Sequence, residues 1–212
     1  MKLLDKDILY LDRQIVFVNK PSGYLTQSDE RENLEDALQS YLQHYLKKST
    51  KVFCKPAHRL DRGVSGIVVF ARTSKSLKRL HALFREKKCQ KIYEGLVEGV
   101  IKKPITLKQH WEKKDHRAKI SNKPNPYTKE VILHIKPLKV GKETSFLEID
   151  LETGRYHQIR AQLGFLGHPI LGDVKYGAKP KDRTYLHHAK MSIEHPVSKE
   201  RIEIRSASGF TL

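Results

Sequence analysis

One unbroken apolar run stands out in the pattern of hydrophobic and polar positions. Residues 67–71 are all apolar and mostly β-branched, which predicts a strand buried on both faces. Shorter runs predict strands at 8–12, 14–19, 91–99, 185–191 and 201–205. Gly63, Ser65 and Gly66 come just before the central run and predict a tight loop. A loop supported by a core strand would hold its side chains in fixed positions.

Three segments repeat apolar residues every three to four positions, as one face of a helix requires. Asn33 is a suitable cap for the first helix, which we expect to run to about Lys48. The second helix is predicted to begin at Ser74, and the third to open at Thr153 and Gly154. The expected core positions are Leu34, Ala37, Leu38, Tyr41, Leu42, Tyr45 and Leu46 in the first helix, Leu77, Leu80, His81 and Phe84 in the second, and Ile159, Leu163 and Leu166 in the third.

The charge balance narrows the class of partner. The 212 residues include 41 lysines and arginines but only 24 acids, for a net charge of +17. Such an excess favours a polyanionic partner, with nucleic acid as the first candidate. The two cysteines form no CxxC pair and fit a reducing compartment. Since the sequence shows no signal peptide and no apolar stretch of membrane-spanning length, we expect a cytoplasmic protein without a membrane partner.

Two basic segments are candidates for contact with that partner. The outer face of the second helix carries cations only, which favours a phosphate-facing surface over a merely solvated one. Residues 105–149 are typical of a peripheral antiparallel hairpin region, and the basic, proline-containing part at 113–129 is interpreted as a mobile loop that contacts RNA. The cations of the helix are Lys75, Lys78, Arg79, Arg85, Lys87 and Lys88.

The most concentrated polar chemistry lies immediately before the central strand. His58, Arg59 and Asp61 place an imidazole, a guanidinium and a carboxylate within four residues, and Arg62 follows. Cationic neighbours would keep Asp61 ionised, and Gly63 would let a substrate approach closely. From these residues alone, a turn carboxylate in a surface ion pair explains the pattern equally well.

The segment from His58 to Thr73 resembles the signature of the RluA family of pseudouridine synthases, in which a His-Arg-Leu-Asp segment carries the catalytic Asp. Gly63 and Val64 depart from the usual family pattern, where an acidic or polar residue and a Thr are commoner. Three further phrases resemble the family's other signatures, in the same order: Val18–Gly23, Lys91–Tyr93 and Leu151–Arg160. The resemblance covers nearly the whole chain and is to the catalytic domain alone.

The resemblance implies a fold and a reaction. The fold is the α/β (α+β) pseudouridine synthase fold, a mixed, mainly antiparallel sheet with flanking helices and a central cleft. We expect residues 1–212 to form this single domain, without the appended N-terminal RNA-binding domain that some members carry. The reaction is isomerisation of uridine in RNA, with Asp61 either as nucleophile at C1′ or as base at C2′. An O-glycosidase would need a second, opposing carboxylate, and the sequence offers no convincing one.

The resemblance also implies roles for individual residues. Tyr93 would stack on the uracil, and Arg160 would pair with Asp61 and keep it ionised. Arg59 would fill the stack that the flipped base leaves. If residues 155 and 160 are both helical, their side chains lie about 140° apart, which favours Arg160 over Arg155 as the partner of Asp61. The expected RNA-binding residues are Arg59, Arg62, Lys91, Arg155 and His157.

We expect no metal and no cofactor. His187 and His188 are adjacent in a predicted strand and would point to opposite faces, which argues against a shared metal. No phosphate-binding glycine loop with a lysine is present, and the isomerisation has no redox step. Lys20 is interpreted as a solvated turn lysine. The expected partner is structured RNA, ribosomal or transfer, and the expected state is a monomer.

Two other classes of protein remain as alternatives. One is a noncatalytic RNA-binding or RNA-folding protein on the same scaffold, which the joint presence of Asp61, Tyr93 and Arg160 disfavours. The other is a DNA-binding protein, which would bind duplex DNA tightly and perform no uridine chemistry.

Overall fold

The structure, a computed structural model, describes residues 2–28 and 31–212. Within them the chain forms eleven strands and three α-helices. The strands are β1 (Ile8–Leu11), β2 (Ile15–Lys20), β3 (Lys55–Pro56), β4 (Ser65–Ala71), β5 (Cys89–Glu98), β6 (Ile105–Lys114), β7 (Arg117–Ser121), β8 (Lys129–Val140), β9 (Thr144–Leu151), β10 (Leu186–Glu194) and β11 (Arg201–Arg205), and the helices are α1 (Leu34–Tyr45), α2 (Ser74–Arg85) and α3 (Gln158–Phe165).

The chain divides into two compact units. The first comprises Met1–Cys89 and His188–Ala207, and the second comprises Gln90–His187 and Ser208–Leu212. None of the described helices is both long enough and apolar enough to span a membrane.

In the first unit, β4 is the predicted buried strand, and all seven of its residues are buried. It pairs antiparallel with β2, from Ile15 opposite Ala71 to Lys20 opposite Gly66. Gly66 has φ +111° and lies so close to the next strand that a Cβ there would come 2.4 Å from the carbonyl oxygen of His188. Only glycine fits this position, because both the dihedral angle and the close backbone approach exclude a side chain.

Two helices accompany this sheet, and the predicted N-cap of the first, Asn33, is confirmed. The side chain of Asn33 accepts a hydrogen bond from the Asp36 N–H (3.0 Å), and Thr73 accepts one from Ser76 (3.1 Å). The hydrophobic face of α2 belongs to the core cluster of the first unit, in which Leu80 and Leu83 lie with residues of β2 and β4. The buried face of α1 consists of Leu34, Leu38 and Leu42.

The helix predictions need three corrections in the first unit. The first helix ends at Tyr45, before Lys48. Tyr45 is 59 % exposed, because in the last turn its ring stacks on Tyr41 and does not enter the core. His81 is exposed, since it lies on the solvent side of α2.

The second unit is built on an antiparallel sheet with the order β5–β9–β8–β6–β7. Tyr93 of β5 lies opposite Ile149 of β9, and Ile149 lies opposite Ile135 of β8. Alternate residues of β8 and β9 are buried, so one face of the sheet carries the core. The helix α3 contributes the buried Ile159 and Leu163 and packs near β6 and β7. The predicted mixed fold with a mainly antiparallel sheet is confirmed.

The third helix begins later than predicted. It starts at Gln158, because His157 has a left-handed backbone (φ 52°) that no helix can include. Thr153 and Gly154 lie in a loop that the Gln158 side chain organises, accepting hydrogen bonds from the Thr153 hydroxyl (3.0 Å) and from the Arg155 N–H (3.1 Å). Leu166 follows the helix and is only partly buried.

The interpretation of residues 113–129 as one mobile loop is also wrong. β6 continues to Lys114 and β7 begins at Arg117, so much of the segment is a regular antiparallel hairpin. The two residues between the strands, Asp115 and His116, both have positive φ angles, as a tight two-residue hairpin turn requires. Apart from this turn, only residues 122–128 of the segment are outside regular strands.

Candidate active site

Asp61 lies in the loop that leads into β4, and the residue before it is fixed by a single side chain. The Thr26 hydroxyl donates to the Leu60 carbonyl and accepts from the Leu60 N–H, each at 3.1 Å. Thr26 and Leu60 are both buried, whereas Asp61 is half-buried. The backbone next to Asp61 is therefore fixed, whereas the Asp61 side chain keeps some access to solvent.

The residue after Asp61 is held by Lys20, the last residue of β2. The Lys20 ammonium is fully buried and donates to the carbonyls of Pro21 (3.0 Å), Tyr24 (2.8 Å) and Arg62 (3.3 Å). The interpretation of Lys20 as a solvated turn lysine is wrong. A buried ammonium needs such acceptors, and these three join the turn after β2 to the loop of Asp61.

The same two segments are joined by further hydrogen bonds. The Gly23 N–H donates to the Arg62 carbonyl (2.8 Å), and the Arg62 side chain donates back to the Gly23 carbonyl (2.9 Å). The Ser22 hydroxyl donates to the Gly63 carbonyl (2.7 Å). These contacts use the backbone of residues 62 and 63, so the glycine at 63 does not weaken them.

The other position that departs from the family pattern is also accommodated. Val64 is 2 % exposed and packs as an apolar residue, and its N–H donates to the Asp61 carbonyl (3.1 Å). This bond closes a tight turn directly after the carboxylate. The loop is therefore ordered by its backbone and does not depend on a hydroxyl at residue 64.

His58 is anchored to the central strand. Its Nε2 accepts from the Val69 N–H (3.3 Å), and its ring packs against Phe84 of α2 at 5.2 Å between centroids. The ring of His188 lies 5.7 Å away, and its Nδ1 is 2.7 Å from the Ile67 carbonyl. Through these contacts His58 helps to support the loop that carries Asp61. Arg59 and Arg62 are exposed, as residues that contact RNA must be.

In the second unit, Tyr93 and Lys91 lie two residues apart on β5, so their side chains share one face of the strand. Tyr93 is 6 % exposed. The Lys91 ammonium lies beside Gly154, where a Cβ would come within 3.0 Å of Nζ. The second unit thus brings Lys91 next to the loop that carries the exposed Arg155.

Arg160 has a partner that the sequence reasoning missed. It donates from Nε to Oδ2 of Asp173 at 2.6 Å and from its terminal nitrogen to Oδ1 at 2.8 Å. Asp173 is 2 % exposed, so this bidentate ion pair is largely removed from water. The guanidinium also lies over the ring of Tyr176, 5.2 Å from its centroid. Arg155 precedes the helix, so the argument from the angle between two helical arginines does not apply.

His157, a predicted RNA-binding residue, is held between two tyrosines. Its ring stacks on Tyr156 with centroids 3.8 Å apart, and its Nδ1 lies 2.9 Å from the Tyr176 hydroxyl. Burial raises the pKa of Tyr176 above the ordinary value of a tyrosine. Neither tyrosine was given a role from the sequence, although Tyr156 lies within the segment Leu151–Arg160 that resembles the family.

The β6–β7 hairpin is attached to the same part of the second unit. The Tyr156 hydroxyl donates to the His116 carbonyl at the hairpin turn (3.2 Å), and the Lys175 ammonium donates to the same oxygen (2.7 Å). The Trp111 indole donates to the Tyr156 carbonyl (3.0 Å).

Across residues 2–28 and 31–212, no three His, Cys, Asp or Glu side chains are grouped to hold a metal ion.

The chain belongs to the RNA pseudouridylate synthase family, since a profile of that family matches residues 14–164. It is 32 % identical over 215 residues to the dual-specificity RNA pseudouridine synthase RluA of Haemophilus influenzae, covering 96 % of this chain and 94 % of that protein. It is also 32 % identical to ribosomal large subunit pseudouridine synthase C of Buchnera aphidicola, covering 96 % of this chain but 67 % of that protein.

Two further matches are a relative that is longer than this chain and a solved structure that shows the fold alone. An uncharacterised RNA pseudouridine synthase of Mycoplasma pneumoniae is 32 % identical over 87 % of this chain, which spans 60 % of that protein. The solved structure of human RNA pseudouridylate synthase domain containing 4 superposes with a TM-score of 0.81 at 19 % identity, over 95 % of this chain and 88 % of that one. The fold is therefore that of pseudouridine synthase domains.

Proposed function

We propose that the chain is an RNA pseudouridine synthase, an isomerase that converts uridine to pseudouridine in structured RNA, with Asp61 as its catalytic carboxylate. The supporting observation is the loop of Asp61. Both neighbours of this residue, Leu60 and Arg62, are fixed by buried groups of the first unit, while Asp61 itself stays accessible. A rigid backbone with a partly exposed carboxylate is the arrangement that a positioned nucleophile or base requires.

The reaction needs no atom from outside the substrate. The N1–C1′ bond breaks, the uracil turns, C5 bonds to C1′ and the C5 proton is released while N1 gains one. Asp61 acts either by attack on C1′, forming a bond that later breaks, or by removal of the C2′ proton, which is later returned. Tyr93 stacks on the uracil and assists transfer of the C5 proton. Arg160 pairs with Asp61 in addition to Asp173.

The substrate is structured RNA, in which the target base must be flipped out of its stack. The net charge of +17 supports a polyanionic substrate. The proposed substrate is ribosomal or transfer RNA, and the name of the relative from Buchnera, which refers to the large ribosomal subunit, supports the ribosomal one. Arg59, Arg62, Lys91, Arg155 and His157 contact this RNA. The enzyme acts as a monomer in the cytoplasm and uses no cofactor.

The decisive experiment is Asp61→Asn, which replaces the carboxylate by an amide of the same shape. We expect an intact fold, unchanged RNA affinity and no pseudouridine, measured by mapping pseudouridine in RNA from cells with the wild-type or variant protein. A rate within about tenfold of the wild type would refute the assignment, because an amide is neither a base nor a nucleophile under these conditions.

The same mapping distinguishes the proposed enzyme from the noncatalytic alternative. A noncatalytic RNA-binding protein predicts identical pseudouridine profiles in cells with and without the chain. A DNA-binding protein predicts, in addition, tighter binding to duplex DNA than to RNA. Whether the partner is RNA or DNA, the binding affinity should fall steeply with salt. The expected slope is roughly 0.7 to 0.9 units of log K per unit of log salt for each phosphate contact.

A further inference from the structure

The outer face of α2 carries an isolated row of cations. Lys75, Lys78 and Arg85 are exposed, and no ion pair of the described residues involves any of them. They project to the same side of the helix and extend over about 15 Å of its axis. Residues 74–85 contain no acid, and the nearest one, Glu86, is paired with Lys88. We call these three residues the basic row.

The basic row is unfavourable for the helix itself. Lys75 stands in the first turn, where the positive end of the helix dipole disfavours a cation and would favour an acid. Lys78 lies three residues from Lys75 on the same face, so the two like charges repel each other. The stability of α2 therefore does not explain why these positions are basic, whereas binding of an anionic partner does.

The row begins beside the segment that carries Asp61. Phe84, the residue before Arg85, packs against the ring of His58 at 5.2 Å, and His58 lies three residues before Asp61. Lys75 is nine residues before Phe84, so it lies about 14 Å along the helix axis from the end that contacts His58. The row thus leads from the neighbourhood of the proposed catalytic loop outward.

We propose that the basic row binds successive backbone phosphates of the RNA that flanks the target uridine. The inference rests on the proposed function, since it takes the loop of Asp61 as the place where that uridine is bound. None of the large hydrophobic side chains that are exposed among the described residues belongs to α2, which argues for a phosphate backbone as partner and against a protein, whose interface would need an apolar centre.

The test compares two synthetic RNAs with the full chain. One is a single strand of about five nucleotides that contains the uridine, and the other presents the same nucleotides in the loop of a hairpin with a stem of about ten base pairs. Lys75→Glu and Lys78→Glu should each weaken binding of the hairpin, together by about fivefold or more near 0.1 M salt, and lower the salt slope by about one per lost contact. Binding of the short RNA should change much less.

Two further measurements separate this effect from misfolding and from catalysis. Lys75→Glu should leave the melting temperature equal or higher, because a carboxylate suits the first turn of a helix. The isomerisation rate at saturating hairpin should be retained. Lys142→Glu is the matched control: Lys142 is exposed in the turn between β8 and β9, next to Glu143, and its reversal should alter hairpin affinity less than either row variant.

The inference is overturned if Lys75→Glu and Lys78→Glu bind the hairpin like the wild type, or if they weaken the short RNA equally. If the row variants behave as expected but the wild-type chain produces no pseudouridine, the proposed function fails and the basic row still stands as an RNA-binding surface.

Discussion

The hydroxyl of Thr26 makes two hydrogen bonds, each 3.1 Å long, to the backbone of Leu60, one as donor and one as acceptor. Thr26 is 34 residues from Leu60 in sequence and is itself 2 % exposed. One buried side chain therefore fixes both backbone polar groups of the residue before Asp61. The position of the proposed catalytic carboxylate depends on this contact.

Thr26→Val should lower kcat and leave RNA affinity near the wild-type value. Valine has the same shape but leaves the buried N–H and carbonyl of Leu60 without a partner, which should also cost about 1–3 kcal/mol of stability. Thr26→Ser keeps the hydroxyl and should retain most of kcat. Single-turnover rates at saturating RNA, with a denaturant titration, test this; a wild-type rate for Thr26→Val would show that the contact is irrelevant to catalysis.

Lys20→Met should be among the most damaging single changes of a lysine in this chain. Methionine fills a similar volume but removes the donor to the carbonyls of Pro21, Tyr24 and Arg62, so three carbonyl acceptors lose a bond. We expect a loss of about 2–4 kcal/mol in the free energy of unfolding and a lower kcat. Chemical denaturation and single-turnover assays measure the two effects.

Lys48→Met is the matched control for that change. Lys48 is exposed after α1, and its ammonium is not involved in the contacts described for Lys20. Its replacement should change stability by less than about 0.5 kcal/mol. Equal stability of the two variants would contradict the structural role of Lys20.

The sequence predicted the parts of this protein that depend on local patterns. The buried strand at 67–71 and the cap Asn33 follow from periodicity and from the hydrogen bonds of short side chains, and both are found. The late start of α3 depends on His157, whose left-handed backbone is not signalled by periodicity or by a glycine.

The contacts that support the candidate site join residues that are distant from each other in the sequence. Lys20 and Arg62 are 42 residues apart, and the ion pair of Arg160 joins it to Asp173 across 13 residues. Periodicity and motif wording identify such residues but not their partners, because the pairing is set by how distant segments pack. For this reason Lys20 was assigned to solvent, and Asp173 was not identified as the partner of Arg160.

Tyr93→Phe and Tyr93→Ala should differ in their kinetic effects. Phenylalanine keeps the ring and should retain RNA capture while slowing the steps that need the hydroxyl; alanine should lose both. Because Tyr93 is 6 % exposed, the truncation also costs about 3–5 kcal/mol, so the assays belong at a temperature where the alanine variant is folded. Near-wild-type rates for both variants would assign Tyr93 a purely structural role.

Arg160 and Arg155 should have separable roles. Arg155→Met should raise the RNA dissociation constant and retain the rate at saturating RNA, because Arg155 is exposed in the loop before α3. Arg160→Met should lower the saturated rate by about a hundredfold or more, since the proposed orientation of Asp61 is lost. Single-turnover rates across RNA concentrations distinguish the two, and the reversed pattern would show that the roles are exchanged.

The ion pair with Asp173 complicates this test, and it also supplies the control. Arg160→Met leaves a buried carboxylate without its two donors, which should cost about 3–5 kcal/mol. Arg160→Met combined with Asp173→Leu removes both charges, so stability should recover towards the wild-type value while the rate stays low. If the double variant regains the wild-type rate together with its stability, Arg160 serves the fold through Asp173 and takes no part in the reaction.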